Sequence, residues 1–174
     1  MKNKKGLSIV ISYILLIAIS IVMSVIVYQW LKTYIPAQSL QCDQGTSLFI
    51  TDYNYDCTKS LLNITVENNG KFSINGYFIH VSNKSGEELP SIDISNDIIY
   101  GGNYSLNSVM FSLFEDNPLT PDAPRDVNLA TFNVSKYGEL YKVEIIPVRI
   151  EKVNNKKRIV SCSNAEVSSD LTCS

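Results

Sequence analysis

The sequence predicts an α+β protein: one long, uncharged N-terminal helix followed by an antiparallel β-rich domain. Three observations predict it. From Leu7 to Leu31 there are 25 residues without a charge, and 20 of them are apolar. From about residue 60 onward the apolar residues recur every second position, the period of half-buried strands. All four cysteines, Cys42, Cys57, Cys162 and Cys173, lie beyond the uncharged run.

The helix comes first. Leu7 to Ile35 contains neither Gly nor Pro. At ~1.5 Å per residue it would be ~43 Å long, more than the ~30 Å hydrocarbon core of a bilayer. Pro36 ends it, because the residue before a proline is pushed out of helical geometry. Apolar side chains surround the axis instead of forming one stripe, so the helix must be covered on all sides, by lipid or by protein. Tyr28, Trp30 and Tyr34 gather at its far end, as an interfacial aromatic belt does. Ser8, Ser12, Ser20 and Ser24 form two small-xxx-small pairs of the kind that let helices approach closely.

Charge sets the direction. Lys2, Lys4 and Lys5 precede the helix, whereas beyond it only Lys32 occurs before Lys59. Positive charge stays on the cytoplasmic side, so the N-terminus is expected inside and residues 37–174 outside. Those 138 residues carry 11 basic and 17 acidic side chains. An acidic exterior argues against nucleic acid as a partner. Four cysteines on that side predict two disulfides. Pairing nearest in sequence, Cys42 with Cys57 and Cys162 with Cys173, is the expectation; an early cysteine clamping the C-terminal tail is the alternative. The CxxC-type spacing of a zinc site is absent.

The exterior reads as about seven strands. Leu62, Ile64 and Val66 alternate with Asn63, Thr65 and Glu67. Asn68-Asn69-Gly70 then gives a turn, and Phe72 to Val81 is again strand-like, so these two runs are expected to form a hairpin. Ser47 to Asp52, Tyr104 to Phe114, Val127 to Val134, Glu139 to Ile150 and Arg158 to Cys162 read similarly. The stretch 118–126 reads as an exposed loop. Short strands at this spacing without a convincing amphipathic helix indicate an antiparallel, immunoglobulin-like β-sandwich.

Four Asn-X-Ser/Thr sequons, at Asn63, Asn83, Asn103 and Asn133, fall outside the membrane, where N-glycosylation would act. Alternation turns Asn63 and Asn133 away from the core, and Asn83 and Asn103 are expected in turns. Asp52-Tyr53-Asn54-Tyr55-Asp56 begins like a calcium loop, but Cys57 replaces the required Gly and Asn63 the closing Glu, so an acidic strand end or turn is expected. The single histidine, His80, is expected at the end of a strand in a structural or surface role. The acid pairs Glu87-Glu88 and Glu115-Asp116 read as solvated loops. Lys156-Lys157-Arg158 reads as a hairpin turn that could meet an acidic neighbour. No phosphate-binding loop and no Ser or Cys nucleophile arrangement occurs, so an enzyme is not expected.

The start of the chain carries a resemblance. Lys4-Lys5-Gly6 followed directly by Leu7 and the apolar run resembles a class III (prepilin) signal peptide, and with the helix through Ile35 it resembles the archaeal type IV pilin-like proteins. The resemblance implies cleavage between Gly6 and Leu7 by a prepilin peptidase, with Lys4, Lys5, Gly6 and Leu7 directing it. Bacterial type IV pilins usually carry Glu at the fifth mature position, here Ile11. Archaellins typically begin with a glycine-rich stretch, unlike Leu7-Ser8-Ile9-Val10-Ile11. A pilin or minor pilin-like subunit is therefore the closer resemblance. It implies a leader (1–6), a transmembrane and then filament-core helix (7–36) and an extracellular β-sandwich (37–174). It also implies a cell-surface location, copies of the chain as partners, an assembly ATPase and a membrane platform, and no cofactor. The rival expectation is a membrane-anchored extracellular binding or stator-like module that does not polymerise extensively.

Overall fold

The computed structural model describes residues 5–34, 42–111, 118–123, 129–153 and 156–174, and of residues 5–9, 34, 153 and 156 the backbone alone. Lys4, Pro36 and Glu115-Asp116, all singled out in the sequence, lie outside the described residues, and Lys156-Lys157-Arg158 falls in a strand instead of the expected hairpin turn. The chain divides into two compact units, Met1–Leu40 and Gln41–Ser174.

The first unit holds one helix, α1 (Lys5–Tyr34), of 30 residues. Its described side chains, from Val10 to Thr33, are exposed around the whole circumference. The stretch Val10–Thr33 is long and apolar enough to cross a membrane. Two of the serines close on their own helix. Ser20 Oγ donates to Leu16 O at 2.8 Å and Ser24 Oγ to Ser20 O at 2.9 Å. Each hydroxyl is thereby satisfied one turn back, which lets it sit in an apolar surround at low cost.

The second unit is two antiparallel sheets. The first has the order β1 (Phe49–Asp56), β2 (Leu61–Glu67), β8 (Leu129–Asn133), β5 (Ile98–Tyr100). The second runs β10 (Lys156–Ser161), β9 (Lys142–Val153), β3 (Gly76–Ser82), β7 (Ser108–Met110), β6 (Asn103–Ser105). Along it, β11 (Val167–Asp170) also pairs with β9 and β4 (Ile92–Asp93) with β3. Leu62, Ile64 and Phe132 of the first sheet and Ile79, Val81 and Ile145 of the second belong to one buried core. The period of two read in the sequence is visible in β2, whose even-numbered residues Leu62, Ile64 and Val66 are buried and whose odd-numbered ones are partly exposed.

The expected hairpin after β2 does not form. β2 pairs with β1 and β8, whereas β3 lies in the other sheet against β9 and β7. The reason sits in the turn. The Asn68 side chain is buried, and its Nδ2 donates to Phe72 O at 2.9 Å and Leu119 O at 2.8 Å, while its Oδ1 accepts from Gly70 N at 3.0 Å. A Cβ on Gly70 would lie 2.7 Å from Gly45 O, so the 45–47 segment occupies the space beside the turn. These contacts carry the chain from one sheet to the other. They also correct the expectation of an exposed loop over 118–126. Leu119 is buried and exchanges two backbone hydrogen bonds with Ile74, at 2.7 and 3.0 Å; residues 124–126 lie outside the described set.

The other differences are local. The Tyr104–Phe114 run is broken into β6 and β7, joined through Leu106 and Asn107, both with positive φ (55° and 60°). The short strands β4, β5 and β11 carry too few alternating residues to register in the sequence. Pro147 stands inside β9, where a proline normally interrupts pairing. Its carbonyl accepts from Cys162 N at 2.8 Å, so its missing N–H faces the gap between β10 and β11, where no ladder partner is required. At Gly101 (φ +87°) the chain passes from the β5 edge of one sheet to the β6 edge of the other, and an added Cβ would lie 1.8 Å from Leu129 O.

Candidate functional site

α1 is the first candidate. Lys5, Gly6 and Leu7 lie in its first turn, so the Gly6–Leu7 bond is helical here; Lys4 lies just outside the described residues. The first turn has no acidic residue. A helix N-terminus is the positive end of its dipole, so lysine there is unfavourable and acid would be favourable. This start is thus weakly held, and the sequence that begins it opposes it. At the other end Lys32 Nζ lies 5.1 Å from the centre of the Tyr28 ring, placing a cation and an aromatic together where the apolar run stops.

The cysteines pair across the domain. Cys42 bonds Cys162 and Cys57 bonds Cys173, at sequence separations of 120 and 116. The nearest-in-sequence pairing is therefore corrected in favour of the alternative. The physical reason is strand length. Cys57 lies in the turn after β1, eight residues of extended chain beyond the segment that holds Cys42, roughly 26 Å at ~3.3 Å per residue. Cys162 lies beside Pro147, whereas Leu171, just before Cys173, bonds to Tyr141 O, six positions back along the same chain. Each early cysteine thus meets the late one that shares its end of the domain. Cys173 also forms a bridge to Tyr55, and Ser174 N donates to Tyr55 O at 3.0 Å, so the tail is sewn to the edge of β1.

The sequons are placed variously. Asn133 and Asn83 are exposed. Asn133 Oδ1 accepts from Ser135 N at 3.1 Å, and Asn83 Nδ2 donates to Tyr137 O at 3.0 Å. Asn63 is half-buried on the outer side of β2, where its Oδ1 accepts from Thr131 Oγ1 at 2.7 Å. Asn103 lies in β6 opposite Met110, a strand position instead of the expected turn.

The acidic motif is a strand. Asp52 and Asn54 lie within β1 and Asp56 ends it. An extended strand does not wrap these side chains around one cation as a calcium loop does. Asp56 instead caps the turn, accepting from Thr58 Oγ1 at 2.6 Å, Thr58 N at 3.0 Å and Lys59 N at 2.9 Å, with Lys59 Nζ at 2.9 Å. The Thr58 hydroxyl, the Lys59 amide and the Lys59 cation hold its carboxyl below the usual carboxylate range. Among the described residues no group of three His, Cys, Asp or Glu is placed to hold a metal ion.

Sequence reasoning missed one group. His80 lies in β3 opposite Glu144 of β9, with Nδ1 at 3.5 Å from Glu144 Oε1. Glu144 is 6% exposed. Burial pushes its carboxyl up, and Glu166, near enough to hydrogen-bond, adds to the shift, while His80 opposes it. Two glutamates 22 positions apart give no sequence signal of contact; only the pairing of β11 with β9 brings them together. A second cluster ties down the turn before β5. Lys136 Nζ lies 2.7 Å from Asp97 Oδ1 and Tyr137 OH donates to Asp97 Oδ2 at 2.5 Å.

No protein family, no curated protein and no solved structure matches this chain. What is shown directly is the class: an N-terminal helix long and apolar enough for a membrane anchor or signal, followed by a disulfide-closed, antiparallel β domain suited to an oxidising compartment.

Proposed function

We propose that this chain is a structural subunit, a pilin, of an archaeal type IV pilus-like surface filament. A prepilin peptidase cuts between Gly6 and Leu7. α1 first spans the membrane with its N-terminus inside, and then packs against copies of itself as the filament core. The β domain, an immunoglobulin-like sandwich on this reading, forms the outer sheath, with glycans on accessible sequons.

The observation that carries the proposal is α1. It is apolar around its full circumference over 24 residues and its basic residues before the run are confined to the first five positions. A helix of that kind needs cover on all sides, and copies of the same helix supply it once the charged leader is gone. Cleavage removes Lys2, Lys4 and Lys5, the cations that hold the inner end at the membrane surface and oppose the helix dipole.

N-terminal sequencing of the mature protein tests the cut. Leu7 at the N-terminus is the expected result, and a mature chain that retains Met1 to Gly6 overturns it. Recovery of the protein in sheared surface filaments tests the polymer. The rival, a membrane-anchored module that does not polymerise extensively, draws support from Ser20 and Ser24, whose hydroxyls need no neighbouring helix. It prevails if the protein stays with membranes and never enters filaments.

A further inference from the structure

A row of polar side chains runs across four strands of the second sheet. Asp93 of β4 is registered with His80 of β3, His80 with Glu144 of β9, and Glu144 with Ser168 of β11. Directly opposed residues share a face. Val143 and Ile145 belong to the core, so Glu144 between them faces outward, yet it is only 6% exposed. Glu166 lies two positions before Ser168, diagonal to Glu144 on the same face and within hydrogen-bond reach of it.

The other groups of that face do little to neutralise a charge on Glu144. On β4, Asp93 is itself acidic, and its Oδ1 accepts from Ser95 N at 2.8 Å. On β9, Lys142 turns its Nζ to Glu88 O at 2.8 Å and is registered with Asp170 of β11. On β3, His80 Nδ1 stands 3.5 Å from Glu144 Oε1 and supplies a positive charge only when protonated. Two carboxyls in contact, one of them buried, hold a proton between them, because ionising both sets like charges side by side out of water. That shared proton ties β9 to the residue that leads into β11.

Loss of the proton requires water at Glu144, and water reaches it where the cover is weakest. β3 is registered with β9 over seven residue pairs, Gly76 to Ser82, and lies inside the sheet. β11 is registered over four, Val167 to Asp170, and among the described strands pairs with β9 alone. β11 therefore gives way first. Its chain cannot leave, since Cys162 before it is bonded to Cys42 and Cys173 after it to Cys57. We propose that the segment between these two cysteines is a proton-operated strap, which lies closed on β9 while Glu144 and Glu166 share a proton and lifts as the pair loses it. Tied at both ends, it lifts as a closed loop and returns to the same register. Opening bares the edge of β9 from Lys142 to Ile145. The closed state is complete below the ordinary glutamate range and is lost as pH rises through the raised value of Glu144. The strap works equally in a filament subunit and in a single anchored copy, so it does not rest on the filament reading.

Amide hydrogen exchange of the full chain in detergent, with both disulfides intact, tests the strap from about pH 4 to pH 9. Rates are divided by the intrinsic rate at each pH, so that only protection is compared. Protection of Val167 to Asp170 should fall at least about tenfold as pH rises, while that of β3 stays level. Glu166→Gln, at an exposed position, keeps a hydrogen-bonding partner for Glu144 without the second charge, and the fall should shrink to about threefold or less. Glu166→Lys should reverse its sign, because a cation there holds the ionised Glu144. Glu144→Gln should leave the strap closed throughout; if that variant does not fold, the two Glu166 variants decide. Three results overturn the strap. One is protection of Val167 to Asp170 that does not change with pH in the wild type. Another is loss of protection in β3 and β11 together, which is unfolding of the whole domain. The third is a fall that persists in both Glu166 variants and disappears in His80→Gln, which would make the histidine the sensor.

Discussion

At the residue scale, two buried groups are held on poor terms. Tyr77 is fully buried, packs its ring 5.5 Å from that of Phe111, and its hydroxyl has no hydrogen-bond partner among the described residues. A buried hydroxyl without a partner costs about 1–3 kcal/mol, and burial alone pushes the phenol up. Tyr77→Phe keeps the ring and removes the orphan, so urea unfolding should show an unchanged or higher midpoint; a loss above about 1 kcal/mol would reveal a partner for the hydroxyl. Glu144 gives a pH dependence. Its folded-state carboxyl is raised, first by burial and then by Glu166. The stabilising contribution is thus full below the ordinary glutamate range and lost as pH rises through the raised value. The melting temperature of the wild type relative to Glu144→Gln should therefore increase on acidification from neutral pH toward 4. Asp56, held low, acts in the opposite sense: its contribution is present above the ordinary aspartate range and lost only in stronger acid. Neither group was legible in the sequence, because burial and the Glu144–Glu166 contact arise only once the sheets are assembled.

At the element scale, what was legible depended on how local the cause was. The helix, read as Leu7 to Ile35, lies within two residues of the described bounds Lys5–Tyr34, since Gly- and Pro-free apolar sequence acts within a few turns. β2 was read because its neighbours impose inside and outside on alternate residues. The partner of β2 was not, because Asn68 closes a turn that looks like a hairpin but bonds to Leu119, 51 positions away. The β6–β7 turn was missed because its first central residue is Leu106, where Asn or Gly would signal positive φ. Leu106 has φ +55° and is 57% exposed, so it accepts backbone strain without burying its side chain. Leu106→Asn should raise stability by about 0.5–1 kcal/mol in thermal or chemical unfolding. A loss instead would show that the leucine is covered by a contact in the protein's working state.

At the scale of the whole molecule, the disulfides decide the response to reduction. Each closes a loop of over 100 residues, and with one in place the other closes a much smaller circuit. Cys42 and Cys57 are 15 positions apart and Cys162 and Cys173 are 11. Chain-entropy arithmetic then gives about 3.5 kcal/mol for losing either bridge and about 8 kcal/mol for losing both. Double Cys→Ser replacement of each pair, and of all four, checks this by denaturant unfolding. Two losses of equal size that simply add would contradict the circuit. The count and compartment of the cysteines were legible in the sequence. Their pairing was not, because it depends on which ends of β1 and β9 face each other.

That pairing has a mechanical consequence. A pull that reaches the β domain along the chain from α1 arrives first at Cys42, ahead of β1. From Cys42 the covalent path leads directly to Cys162, at the end of β10, whose neighbour β9 is the longest described strand. Tension therefore also enters the second sheet, through its edge strand β10 and the long β9 beside it, instead of only peeling β1 from β2 one hydrogen bond at a time. In a body dragged by flow, the oxidised chain resists as a loaded sheet, and the reduced chain would unzip from its first strand.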